Sequence, residues 1–210
     1  MPDSFSVVRQ AHRICAAYYQ QILPVLNETA QKLEATFVCW ENWSYEKLSP
    51  RKNPLDTYST WKWAFLPAMD MSFVFSFQQA PGTPSAGKDF VLDFRLITDS
   101  ELSIEYGCKK QEVEPVATEL LVSAEDAKSY LQVYLFSSAT ETNTYEYPKE
   151  MWNNYDGYPE INSQVHFSDG DNIRAIGFAL ELKEIARDDA CNILTEKINA
   201  HLAILLAPRP

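Results

Sequence analysis

Glycine is scarce in this chain, at 6 of 210 residues against 12 prolines. That argues against an architecture of phosphate-cradling loops, where the backbone must approach a ligand in conformations that glycine adopts most freely. Positive charge is also short: 18 Lys and Arg face 29 Asp and Glu, a formal charge of −11. The densest basic clusters are the pairs Arg51-Lys52 and Lys109-Lys110, too few to overcome repulsion from a nucleic-acid backbone, so no nucleic acid is expected as a partner. The four cysteines, Cys15, Cys39, Cys108 and Cys191, are widely spaced and form no Cys-x-x-Cys pair. This spacing fits neither a disulfide framework nor a zinc knuckle and points to reduced thiols in the cytoplasm. No stretch reaches the ~18 apolar residues of a membrane span. Arg9, His12 and Arg13 interrupt the N-terminal apolar pattern, which leaves no signal-peptide core. A G-x-S-x-G elbow, a Walker loop and a G-x-G-x-x-G turn are all missing.

What is present suits a single globular domain: hydrophobic residues make up 46% of the chain and aromatic residues 13% of it, in a length that buries a sizeable core without staples. Val8, His12, Cys15, Tyr19, Ile22, Leu26, Ala30, Leu33 and Phe37 recur in steps of three or four, the stripe of an amphipathic helix over 4–36. Pro24 sits inside it and predicts a kink or break near residues 21–23.

Residues 37–185 read as sheet. Trp61, Trp63 and Phe65 alternate with smaller or charged residues, as do Met71 to Phe77 and Phe90 to Leu96, with Asp93 and Arg95 on the other side. Short connections make these neighbours antiparallel. Further strands are expected over 102–106, 116–122 and 130–137, although 123–137 also carries a helical period and a Ser123-x-x-Asp126 cap. Residues 140–162 read as a long loop, 165–185 as a hairpin about the turn Asp169-Gly170-Asp171-Asn172, and 188–206 as a closing helix. Gly177 and Ala179 suggest close approach by a helix. The expected class is α+β: one domain over 1–210, a curved antiparallel sheet of about six to eight strands with N- and C-terminal helices packed on one face.

Asp171 followed, after nine residues, by Glu181-Leu182-Lys183 on a strand leading into a helix resembles the metal-binding core of the PD-(D/E)xK nuclease superfamily. The resemblance spans about residues 165–206 and lacks the proline before the first Asp. It implies that Asp171 and Glu181 hold a divalent metal while Lys183 positions or activates water. Random order gives roughly 2.5 acid-x-base triplets at this composition, and a half-wet strand spaces charges by two anyway. Three occur, Asp93/Arg95, Asp126/Lys128 and Glu181/Lys183, so a solvated strand face explains the motif as well. His12 reads as a core histidine of the first helix, His166 as a strand end, and His201 as a residue suited to a helix C-terminus. The Asp169 turn starts like a calcium loop but lacks the later ligands.

Trp152, Tyr155 and Tyr158 lie in a segment rich in Asn, Asp and Gly. Aromatic side chains there either anchor a protein interface or pin the loop to the sheet. Together with the acidic charge they lead to the expected function: a non-enzymatic, acidic protein-binding module, of inhibitor, immunity or adaptor type, meeting a basic protein partner without cofactor. The alternatives are the metal-dependent phosphodiesterase just described and a small-molecule binder on the sheet's concave face.

Overall fold

The computed structural model describes residues 4–42, 69–78, 89–102, 116–139, 148–170 and 172–207. In chain order they form α1 (Ser4–Lys32), β1 (Thr36–Asn42), β2 (Asp70–Phe77), β3 (Phe90–Ile97), β4 (Tyr130–Ser138), α2 (Pro148–Asn154), β5 (His166–Phe167), β6 (Ile173–Glu181) and α3 (Ala190–Leu205). A single 3-10 turn, Leu182–Glu184, joins β6 to the segment before α3. The strands make one open sheet in the order β1-β2-β3-β4-β6-β5, antiparallel throughout. The class is α+β, as the alternation and flanking helices predict. Among the described residues no helix is long and apolar enough to cross a membrane.

Register sorts the sheet's side chains into two sets. Phe75, Leu92, Leu135 and Ile176 lie in one cross-strand row; Phe73, Phe94, Val133 and Phe178 form the next, and Met71, Leu96, Leu131 and Leu180 a third. Most of this face packs into one core with Ile22, Leu26, Ala30 and Leu33 of α1 and Leu194, Ile198, Leu202 and Leu205 of α3. The two helices also touch directly, through Thr29 Oγ1 to Cys191 Sγ at 3.5 Å and Lys32 Nζ to Asn192 Oδ1 at 2.6 Å. The apolar residues of β2, β3, β4 and β6 recur every second position because strand side chains alternate between faces, and this face is the one the terminal helices cover.

The opposite face carries a different set. Val74, Asp93, Tyr134 and Gly177 form one row, and Ser72, Arg95, Gln132 and Ala179 the next. It is not open to solvent. Helix α2 and the residues after it lie over it, and Val74, Val91, Tyr134, Phe136, Ile173 and Ala175 pack there with Met151, Trp152 and Tyr155. The expectation of one continuous loop over 140–162 is thus corrected for its described part. The seven residues of α2 are too few to show a helical period, and burial of Met151 and Trp152 holds the turn in place.

Other expectations need revision. Helix α1 runs unbroken through Pro24; Pro24 and Gln20, the residue whose carbonyl loses its donor, are both exposed, so water can replace the missing bond. The stripe is buried only from Ile22 onward; His12 and Cys15 are exposed, so His12 is not a core histidine. Residues 116–122 are turns, not a strand. They belong to the connection between β3 and β4. The two periods competing over 123–137 resolve in sequence: Ala127 N–H bonds the Ser123 carbonyl at 2.9 Å in one helical turn, and β4 follows from Tyr130.

Helix α1 ends in a Schellman motif. The Ala35 amide donates to the Ala30 carbonyl at 2.9 Å and the Glu34 amide to that of Gln31 at 3.0 Å, with Glu34 at φ 56°. That left-handed residue turns the chain directly from α1 into β1. The expected strands over 61–65 and 103–106, the turn-rich segment 79–88, Trp43, both basic pairs, Cys108 and Asp171 lie outside the described residues.

Candidate functional site: a buried carboxylate under an aromatic clasp

Asp93 sits at the centre of β3 on the α2 side and is fully buried. Three elements converge on its Oδ2. Ser72 Oγ of β2 donates at 3.0 Å, Trp152 Nε1 of α2 at 2.9 Å, and the Tyr158 hydroxyl, four residues beyond α2, at 2.7 Å. Ser72 Oγ and the Tyr158 hydroxyl are also 3.1 Å apart. Asp93 Oδ1 is buried and has no hydrogen-bond partner among the described residues.

Beside it lies an ion pair with good geometry. Arg95 Nε and Nη2 donate to Asp70 Oδ1 and Oδ2 at 2.8 and 2.9 Å, and both residues are buried. Two parallel bonds satisfy both carboxylate oxygens, which makes burial of two charges tolerable. The Arg95 guanidinium also lies 5.2 Å from the centre of the Tyr158 ring, a favourable position for a cation near an aromatic face. Tyr158 in turn packs on Tyr134 with ring centres 4.2 Å apart. Tyr134 can lie flat because β6 has a glycine beneath it: a Cβ on Gly177 would come within 2.8 Å of the Tyr134 ring. The close approach inferred from Gly177 is real, but its agent is a tyrosine of the neighbouring strand and not a helix, since α1 and α3 are on the other side. At the rim Lys149 Nζ of α2 pairs with Glu41 Oε1 of β1 at 2.9 Å.

Burial dominates the electrostatics. It pushes the Asp93 carboxyl up to about 6, against the hydrogen bonds from Tyr158, Ser72 and Trp152 and the nearby Arg95 charge, all of which pull it down. Burial, reinforced by the Asp93 charge, drives the Tyr158 hydroxyl far above the ordinary tyrosine range, so it remains a donor. The cluster therefore contains a carboxyl whose charge changes near neutral pH, a buried ion pair beside it, and donors supplied by the segment clasped onto the sheet.

The residues singled out from sequence fall in different places. Trp152 and Tyr155 are buried, and Tyr158 is partly so. Of the two roles open to these aromatics, the burial fits pinning: the Asn- and Asp-rich positions between them face outward while the rings insert against the sheet, Tyr155 packing edge-on to Phe136 at 5.4 Å. Glu181 closes β6, and it bonds Lys183 and, at 3.5 Å, Lys128 on the protein surface. Lys183 holds the Glu181 carboxyl below its usual range, and Glu181 raises that of Lys183. The two are brought together, but Asp171 is outside the described residues, and among those described no three His, Cys, Asp or Glu side chains gather as a metal site. His201 is stacked on Phe178 at 4.2 Å, with Nδ1 against the Lys197 carbonyl and Nε2 against Ser163 Oγ. His166 Nε2 meets Asn162 Oδ1 at 3.0 Å.

Alternation assigns Asp93 and Arg95 to the side of β3 opposite its apolar stripe, and the acid-x-base pattern to a solvated face. That assignment gave their face correctly and their exposure wrongly. The available signal was the pairing of Asp70 and Ser72 on β2 with Asp93 and Arg95 on β3, four polar residues on one face of two adjacent strands, matched by a distant segment whose Trp and Tyr carry N–H and O–H donors.

Fold and cluster together define a class: an open antiparallel α+β protein whose sheet has one apolar face under terminal helices and one polar-centred face under an aromatic clasp. The family designated PM0109 matches residues 1–203, nearly the whole chain, and the chain belongs to that family. No curated protein and no solved structure matches it.

Proposed function

We propose that this chain is a non-enzymatic protein-binding module that meets a basic protein through the β1 end of its sheet. The observation that carries this reading is the exposure of Phe37 and Trp40, at 55% and 45%, on β1, an edge strand among the described residues. Both occupy the register of the apolar face, opposite Phe75 and Phe73, but beyond the part that α1 and α3 cover. Aromatic side chains left at the margin of a core are the usual anchors of an interface. Val7, Val8 and Ile14 on the first half of α1 are exposed as well.

Charge complementarity selects the occupant. The chain carries −11, and the exposed Glu34 lies two residues before β1. A second copy would bring like charge to the same surface, whereas a basic protein gains in encounter rate and specificity.

The test is a titration. A protein captured by the wild-type chain is purified and titrated by calorimetry against wild type and the Phe37→Ser/Trp40→Ser double variant, each checked for its fold by circular dichroism, at low and high salt. A basic partner of defined stoichiometry is expected, with affinity at least tenfold weaker for the variant and falling with ionic strength. Capture of no stoichiometric partner, equal binding by the variant, or self-association through the same residues overturns the reading.

A further inference from the structure

The Ser72 Oγ, Asp93 Oδ2 and Tyr158 hydroxyl oxygens form a triangle, with sides of 3.0, 2.7 and 3.1 Å. Each side is a hydrogen-bond distance, and each hydrogen bond needs one proton. With Asp93 ionised, Ser72 and Tyr158 bring one hydroxyl proton each, so at most two sides can be bonded and the third sets two lone pairs against each other. A proton on the carboxyl supplies the third. Asp93 then donates to one hydroxyl, that hydroxyl to the next, and the last back to Asp93, while Trp152 Nε1 continues to donate to Oδ2. Neither oxygen count nor geometry has to change.

We propose that the Ser72–Asp93–Tyr158 triangle is a proton-binding site that locks the α2 segment onto the sheet, tighter when the proton is bound and looser when it is lost. Two of the donors aimed at Asp93, Trp152 and Tyr158, belong to that segment, so it cannot lift without stripping the carboxyl of them. Lifting would also hydrate Asp93, whose Oδ1 has no compensating partner among the described residues.

The neighbouring groups leave Asp93 as the titrating member. From β2 comes Asp70 and from β3 Arg95, bound to each other. From β4 comes Tyr134, its hydroxyl donating to Gln132 Oε1 at 3.0 Å. Strand β6 contributes Gly177 and Ala179, which have no charge. Tyr158 is held as a neutral phenol, and Lys149 of α2 is spent on Glu41 at the rim.

The sign follows from linkage. Clasped, the carboxyl titrates near 6; solvated, it returns toward the ordinary 3.8. Protonation therefore favours the clasped form. Its advantage is complete below the solvated value and lost as pH rises through the clasped one. The ratio of lifted to clasped forms should rise by on the order of a hundredfold across that window.

Hydrogen-exchange protection factors for amides 150–158, corrected for intrinsic rates and measured from pH 4 to 7.5, read this ratio. Wild type is expected to lose about a hundredfold protection in that segment as pH rises, with the amides of β3 and β4 holding theirs. Asp93→Asn, which cannot ionise, should show no such slope. A flat wild-type profile, an unchanged slope in D93N, or parallel loss throughout the sheet overturns the proposal. If D93N does not fold, the wild-type carboxyl carbon of Asp93 decides by NMR. A midpoint well above an ordinary aspartate supports the site, and one at or below 4 sinks it.

Discussion

The two faces of this sheet solve burial differently. Under α1 and α3, the side chains of four strands interdigitate with two long helices, and almost every contact is apolar. Under α2, the same strands bury two carboxylates, a guanidinium, two serines and a glutamine. The first face is held by removing area from water, which is non-directional and tolerant of exchange between similar shapes. The second is held by donors and acceptors that must meet at fixed points, so it gains specificity and is vulnerable to the loss of any one member. Residues 93 and 94 are adjacent on β3 and point to opposite faces, which makes them the sharpest place to compare the two solutions.

The largest effect is expected on the apolar side. Phe94 is fully buried and packs edge-on to Phe75 at 5.8 Å. Phe94→Ala should lower unfolding free energy by about 3–5 kcal/mol through lost burial and the cavity left behind. Asp93→Asn, one residue away, keeps an acceptor for Trp152 and Tyr158 and cannot ionise, so at neutral pH it should lose no more than about 1 kcal/mol relative to wild type. Urea denaturation of both variants checks the contrast. Equal losses at the two positions would mean that the faces do not differ as their chemistry says.

Legibility in the sequence divides along the same line. The apolar face was readable because Phe90, Leu92, Phe94 and Leu96 repeat every second residue, and because α1 from Ile22 and α3 show their own stripes. The polar face was half readable. Alternation placed Asp93 and Arg95 together on one side, but nothing local says whether that side is wet. Its cover comes from residues 148–158, more than fifty positions downstream, and α2 is too short to reveal an amphipathic period. Trp152, Tyr155 and Tyr158 could be recognised as aromatics needing a role, while the choice between anchoring a partner and pinning the segment depended on Asp93, a residue of another strand. The break expected at Pro24 failed because the position of the ring around the helix matters, and a single proline does not report it.

A middle-sized effect tests the packing beneath the clasp. Gly177→Ala places a methyl group against the Tyr134 ring, at a separation no real contact sustains. Tyr134 is itself fixed by Tyr158 above it and by its hydroxyl bond to Gln132, so it has little room to yield. The expected loss is about 1–3 kcal/mol. Tyr134→Leu should remove most of the conflict, and the double variant should be clearly more stable than the sum of the singles predicts. Strict additivity would show that the glycine serves something other than the ring.

The smallest effect separates the inner polar contacts of the clasp from its rim. Lys149 and Glu41 are bonded at 2.9 Å, but their side chains remain 42% and 36% exposed. Glu41 raises the affinity of Lys149 for its proton, yet solvent and salt screen such a pair, and ordering two long side chains offsets much of the attraction. Lys149→Met keeps the aliphatic stem and should change stability by less than about 1 kcal/mol, the difference shrinking further in high salt. The exchange protection of amides 150–158 should keep its wild-type slope with pH, because the titrating carboxyl lies at the centre of the clasp. Loss of that slope in Lys149→Met would shift the control of the segment from Asp93 to the rim, and the distinction between a screened outer contact and a dry inner one would no longer describe this face.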